Sequence, residues 1–455
     1  MVRAAGTTRQ EGGLRMTKRK LSVLAALATA IVAVVVATAS GGGVAPIEPQ
    51  VVNDSSLKAL STTEGGADVL PTTRTVSHWF GQTTDPHNGV TYGYNMVGSN
   101  PNTCSGAACS TTIEADITPI IVHVGGWTFD GTSVVGATLA SPQFANNDYG
   151  STPAATAAGA FPSTPAFIRG PGGLLSQADS GVQQQLQDAT MRAQFNKVGK
   201  KSSYHLLLHP NVLPAVTIDV PSNQGTVIAS GRGVVAADIN ISWWSSQINN
   251  LETQADPTHL PIYLTDNVYL HIGPDINNCC VLGYHGTRAA GYGGGSANSN
   301  GNAAVQTFAW ASYVRPGFYS RPNGGTDWAL QDIHALSHEI AEWADDPFVN
   351  NSVEPWLTPT APQYGCTNVL ETGDPVVGIG FAKGTNTFAQ GPNPNGTQSA
   401  DGYYHPEDEA LLPWFMRLPS NNTGSEANQS GVGGRYTFMG DLNPFPGFRQ
   451  AATGC

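Results

Sequence analysis

Between Thr326 and Asp346 one pattern constrains the chain more than any other. At about 100° per residue, Leu330, Ile333, Leu336, Ile340, Trp343 and Ala344 share one side of a helix. Gln331, His334, His338, Glu342 and Asp345 gather within roughly 80° on the other side. An apolar stripe of that length has to pack against a core, so the surrounding chain must supply one. Thr326 can cap the start with Asp327 in the first turn, and Pro347 after Asp345 and Asp346 marks the stop, which predicts a helix over 326–346. The polar side contains neither Lys nor Arg, whereas a solvated helix face normally mixes both signs of charge.

That polar side has the spacing of a metal site. His338 and Glu342 project side by side one turn apart and can hold one divalent cation between them. Glu339 would then lean over an open coordination position, where a carboxylate can take a proton from water held by the ion. His334, one turn earlier, offers a second imidazole, although His334 to Glu342 spans about 12 Å, too far for all three to reach one ion easily. The acidity continues downstream: from Glu339 to Glu409 the chain carries eleven Asp and Glu against a single base, Lys383. Such a run repels itself unless solvent or cations neutralise it. Within it, Glu371-Thr372-Gly373-Asp374 is the expected source of a further ligand, because a Gly turn lets both carboxylates point one way. The competing readings are an ordinary i,i+4 pair on a solvated face and a plain turn.

His338-Glu339-Ile340-Ala341-Glu342 resembles the HExxH helix of zincin metallopeptidases, with Glu342 in place of the second His. The resemblance implies a zinc-dependent hydrolase with Glu339 as general base, His338 and Glu342 as ligands, and His334, Glu371 and Asp374 as candidates to complete the set. A carboxylate in place of an imidazole hardens the site, so zinc comes first while manganese and calcium stay open. The implied fold is α+β: a mixed sheet with packed helices, zincin-like, with long Gly-, Pro- and Asn-rich loops.

The rest of the chain fits an exported protein. Lys18-Arg19-Lys20 precedes an apolar run from Leu21 to Ala37, and Ala37-Thr38-Ala39 supplies the small residues of a cleavage site. Residues 1–39 therefore read as a signal peptide, with an uncleaved anchor as the alternative and the membrane a partner only in that case. Residues 40–75 read as a linker or pro-segment, and 76–455 as one large α+β domain. Only 12% of residues are charged, with 53 Gly and 31 Pro, so much of the surface is neutral loop. A net charge of -12 argues against nucleic acid as a partner.

Strands are expected around His78–Phe80, Val90–Tyr94, Ile117–Val124, Tyr204–Leu208, Ala215–Val220 and Ala304–Val314. Helices are expected over Asp179–Phe195 and Ile241–Thr253. Leu260–Leu264 and Val268–Ile272 read as a strand pair turning at Asp266-Asn267, and His123 as a core histidine. Cys104 and Cys109 suggest a small disulfide loop. Adjacent cysteines seldom bond each other, so Cys279 and Cys280 are expected to pair with Cys366 and Cys455 in one of two ways. Zinc on Cys279, Cys280 and His285 is the sharper alternative, and an ordinary turn histidine the plainer reading of His285. Tyr403–Glu409 reads as a solvated turn, with a place beside the acidic region as the alternative.

The cysteine-rich strand end running into Gly283-Tyr284-His285-Gly286, the Ala-rich strand after it, and the helix ending in Asp346-Pro347-Phe348 before Asn350 are similar to the EXORDIUM or phosphate-induced family of secreted proteins and its bacterial relatives, over residues 260–375. That resemblance implies an extracellular protein linked to growth or the cell wall. The leading expectation is a secreted metal-dependent hydrolase of zincin type acting on an extracellular peptide or cell-wall substrate. Two alternatives stand beside it: a metal-free glycoside hydrolase pairing Glu339 or Glu342 with Glu371 or Asp374, and a non-catalytic extracellular protein with a structural cation.

Overall fold

Strands rich in β-branched and aromatic residues begin almost at the start of the described chain. The computed structural model describes residues 74–149, 181–199, 201–230, 234–290, 304–319, 331–359, 365–387, 402–418, 436–438, 446–448, 450–452 and 455. The N-terminal apolar run and all but Arg74 and Thr75 of the segment 40–75 lie outside them. β1 (His78–Thr84) and β2 (Thr91–Val97) form an antiparallel hairpin. β3 (Ser110–Val124) is the longest strand, followed by β4 (Trp127–Asp130) and the short helix α1 (Val135–Ala140). β5 (Asn147–Asp148) pairs with β6 (Gln183–Gln184), and α2 (Leu186–Gln194) leads to β7 (His205–Val212) and β8 (Val216–Asp219).

β9 (Gly225–Ala229), β10 (Val235–Asn240), α3 (Ile241–Glu252), β11 (Leu260–Asp266), β12 (Val268–His271) and β13 (Cys279–Val281) come next. β14 (Gly283–Ala290), β15 (Ala304–Tyr313), α4 (His334–Asp345), β16 (Ser352–Leu357), β17 (Cys366–Val369) and α5 (Leu412–Phe415) complete the set.

The principal sheet runs in the order β14-β15-β11-β3. β15, β11 and β3 are parallel neighbours, and β14 is antiparallel to β15. β3 is long enough to serve two sets of partners, with β7 parallel to its first half and β8 and β4 along its second. A second sheet, β13-β12-β10-β9, mixes parallel and antiparallel pairs. The mixed sheets and packed helices make the chain α+β.

Alternation along the strands divides the core between the two faces of the principal sheet. Phe308 and Trp310 of β15 join Tyr284, Trp244, Ile248, Ile239 and Leu270 in one cluster, while Ala309, Ala311 and Tyr313 join Ile340 and Trp343 in the other. The helix α4 therefore lies across one face of β14 and β15, and the second sheet with α3 occupies the other.

Several sequence expectations are corrected here. β11 and β12 do not pair: β11 lies between β15 and β3, whereas β12 lies between β10 and β13. Asn267, at φ 50°, passes the chain from one sheet to the other, and its N–H donates to Tyr313 O. The helix expected from Asp179 begins only at Leu186, after the short strand at Gln183–Gln184. His123 is half-exposed and paired with Asp219 rather than buried. Among the described residues no helix is long and apolar enough to cross a membrane.

Candidate metal centre

The helix α4 starts later than its periodicity implies. Gln331–Ile333 are not helical: Asp332, at φ 42°, exchanges backbone hydrogen bonds with Val314, and its carboxylate accepts from the N–H groups of Ile333 and His405. That bridge keeps Asp332 and Ile333 out of the helix, so the helix spans His334–Asp345, and the Thr326 cap falls outside the described residues. All twelve of its residues are buried. On the apolar side, Trp343 Nε1–H donates to Thr307 Oγ1 of β15 at 2.9 Å.

The polar side is covered as well, by two segments that bond to one another. Ala410 N–H donates to Thr372 O, Asp408 N–H to Ile379 O and Phe381 N–H to Pro406 O. The first segment brings Gly373 against the helix so closely that a Cβ there would run into the His338 ring. The N–H groups of Gly373 and Asp374 both donate to Glu342 Oε1, at 3.1 and 3.3 Å.

Two groups of ligand atoms result. His338, Glu342 and Asp374 each offer one atom within 4.8 Å of the others, and so do His285, Glu339 and Glu342. His338 Nε2 lies 3.1 Å from Glu342 Oε1 and 3.9 Å from Asp374 Oδ1. Its Nδ1 lies 2.7 Å from Glu407 Oε2, and Glu407 Oε1 in turn accepts from Gly378 N–H at 2.9 Å. With the ring proton on Nδ1 and donated to Glu407, Nε2 presents its lone pair to the two carboxylates, as a metal-ligating histidine backed by a carboxylate does. The Asp374 side chain is 26% exposed and marks the side open to solvent.

Burial dominates the electrostatics. It raises the Glu339 and Glu371 carboxyls above their ordinary range and pushes Glu407 up to about 7 against the pull of His338. Burial also opposes charge on His285, but Glu371, Glu339 and Glu342 outweigh it and hold the imidazolium well above its usual range. His334, buried with His338 and His405 nearby, is pushed down to about 3 and stays neutral. No Lys or Arg among the described residues pairs with Glu339, Glu342, Glu371, Asp374 or Glu407.

The structure thus brings His338, Glu342 and Asp374 together, with Glu339 beside Glu342 facing His285. His334 stands outside both groups, its Nε2 3.4 Å from Glu407 Oε2. Glu371 does not join Asp374 at His338; its Oε2 lies 3.8 Å from His285 Nε2.

Sequence reasoning undervalued two residues. His285 lies on β14, not in a turn, on the face it shares with Gly283, and that face meets α4. The alternation of Gly283, His285 and Thr287 was the available signal. Glu407 is 1% exposed, so the turn at 403–409 is not solvated. The cysteine pairing is also corrected: Cys279 bonds Cys280 across a cis peptide and Cys366 bonds Cys455, which leaves no thiolate for zinc beside His285. Cys104 bonds Cys109 as the spacing suggests. Compared with known family models, curated proteins and solved structures, the chain matches none of them.

Proposed function

We propose that this protein is a metal-dependent hydrolase, a zincin-type peptidase in its chemistry, exported to act on a peptide or cell-wall substrate. The observation that carries the reading is the convergence of His338, Glu342 and Asp374, from a helix and a separate turn, on one partly solvent-exposed point. Zinc, or manganese, bound there would polarise a substrate carbonyl and acidify a water molecule.

The protein's own groups supply the rest. Glu407 fixes the His338 ring by accepting its Nδ1 proton, and the Gly373 and Asp374 N–H groups hold Glu342 in place. Glu339 is buried, and its Oε1 makes no hydrogen bond, so that atom is free to accept a proton. In peptide hydrolysis the water oxygen bonds to the carbonyl carbon and the C–N bond breaks. Glu339 takes the water proton and delivers it to the leaving amine.

The test is a set of variants read by metal content and by cleavage of a quenched fluorescent peptide library. His338→Ala should lose the ion between His338 and Glu342. Glu339→Gln should keep that ion while hydrolysis falls by about 10²-fold or more. Protein stripped by a chelator that hydrolyses as fast as zinc- or manganese-loaded protein would sink the reading, and a bound ion without hydrolysis would assign the site a structural role.

A further inference from the structure

The two ligand groups share one residue, and its two oxygens divide between them. Glu342 Oε1 lies 3.1 Å from His338 Nε2, and Glu342 Oε2 lies 3.5 Å from His285 Nδ1. We propose that the pocket binds a pair of divalent cations bridged by Glu342, one held by His338 and Asp374 and the other by His285 and Glu339. The inference rests on the first group being a metal site and adds a second ion to it.

The second position has donor atoms that nothing else uses. Glu339 Oε2 lies 3.5 Å from His285 Nδ1, while Glu339 Oε1 makes no hydrogen bond although the residue is only 1% exposed. A buried carboxylate with so few partners is costly unless a cation at its other oxygen, Oε2, neutralises it. The β14 backbone closes over it: a Cβ on Gly283 would stand 2.7 Å from Glu339 Oε1, so no side chain can take the space.

His285, like His338, has an outer carboxylate on its far side, though at ion-pair distance and without the hydrogen bond that Glu407 makes to His338. Its far nitrogen, Nε2, lies 3.8 Å from Glu371 Oε2, and neither oxygen of Glu371 makes a hydrogen bond. Each imidazole thus turns one nitrogen toward Glu342 and the other toward an outer carboxylate, Glu407 for His338 and Glu371 for His285.

Charge gives the same count. With neutral imidazole ligands and all five groups ionised by the ions they bind, the carboxylates Glu339, Glu342, Glu371, Asp374 and Glu407 have no Lys or Arg partner among the described residues. One divalent cation would leave three negative charges in the pocket, and two would leave one. Ions in two-metal hydrolytic sites lie about 3.5–4 Å apart and clamp both the attacking and the leaving atom. Glu339 then divides its work by oxygen, Oε2 as ligand and Oε1 as proton acceptor.

The competing occupant of the second position is a proton on His285. The full chain, stripped by a chelator, is titrated with Mn²⁺ and followed by bound-metal analysis and electron paramagnetic resonance. The pair predicts two equivalents with an exchange-coupled spectrum. His285→Ala and Glu339→Gln should each bind one equivalent with an uncoupled six-line spectrum, with the fold checked by circular dichroism; the conservative Glu339→Gln covers the case in which the His285 variant fails to fold. One equivalent in the unaltered chain, retained in both variants, overturns the pair and leaves the first site standing. Two equivalents without coupling overturn the Glu342 bridge. No bound Mn²⁺ at all overturns both the pair and the single site beneath it.

Discussion

The His338 ring lies where a Cβ on residue 373 would have to go, so glycine is required there by space and not by backbone angle, its φ being an ordinary -80°. Only that absence lets two successive N–H groups reach Glu342 Oε1 while Asp374 turns toward Nε2 of His338. Gly373→Ala should therefore destabilise the protein by about 1–3 kcal/mol, the usual cost of an added methyl in a packed interior. The same variant should weaken Mn²⁺ or Zn²⁺ binding, because the ring and the turn can no longer both keep their places. Urea unfolding in a chelator measures the first effect and metal titration the second. Unchanged metal affinity in a folded Gly373→Ala protein would show that the ring does not ligate from this position.

At the scale of elements, α3 meets the principal sheet through a buried carboxyl. Glu252, the last residue of α3, is 1% exposed; burial pushes its carboxyl up to about 8, against the lowering pull of Tyr263 and Arg288. The folded chain thus keeps a proton on Glu252 between its ordinary 4.5 and about 8, a window in which the unfolded chain has lost it. Stability from this group is full at acid pH and declines as pH rises through that window. Glu252→Gln should flatten the decline, leaving stability near pH 4 almost unchanged and raising it at pH 8.5 by on the order of a few kcal/mol. Urea midpoints at the two pH values check this, and equal effects at both would refute it.

The elements also show what could be read in advance. The apolar stripe through Leu336, Ile340 and Trp343 located α4, and the unbroken run at Ile117–Val124 located β3, because each pattern is local. The start of α4 was not legible, since Asp332 is withheld from the helix by Val314, a partner that periodicity does not see. The separation of β11 from β12 has the same origin: a turn at Asn267 looks alike whether it closes a hairpin or carries the chain to another sheet. At the site, His338 and Glu342 were visible through one-turn spacing. His285 and Glu407 arrive from a strand and a loop whose approach is set by tertiary packing.

At the scale of the whole molecule, the Cys366–Cys455 bond ties Cys455 to β17 across a separation of 89 residues. That closed loop includes Glu371, Asp374 and Glu407, so the bond restrains the two segments that cover α4. Loop-closure entropy assigns about 4–5 kcal/mol to a bond closing a loop of this length. The double variant Cys366→Ser with Cys455→Ser should lose most of that in urea unfolding under oxidising conditions, and an unchanged midpoint would show that the covering segments hold without it.

Because α4 is buried on both sides, its charged face is as much interior as its apolar one, and whatever neutralises that face is a packing element of the molecule. If that is the proposed ion, removing it with a chelator would resemble excavating a core side chain more than emptying a surface cleft. Engineering the site for a different ion would accordingly be a problem of interior redesign, in which each exchanged ligand has to fit the volume between β14 and the two covering segments before its chemistry matters.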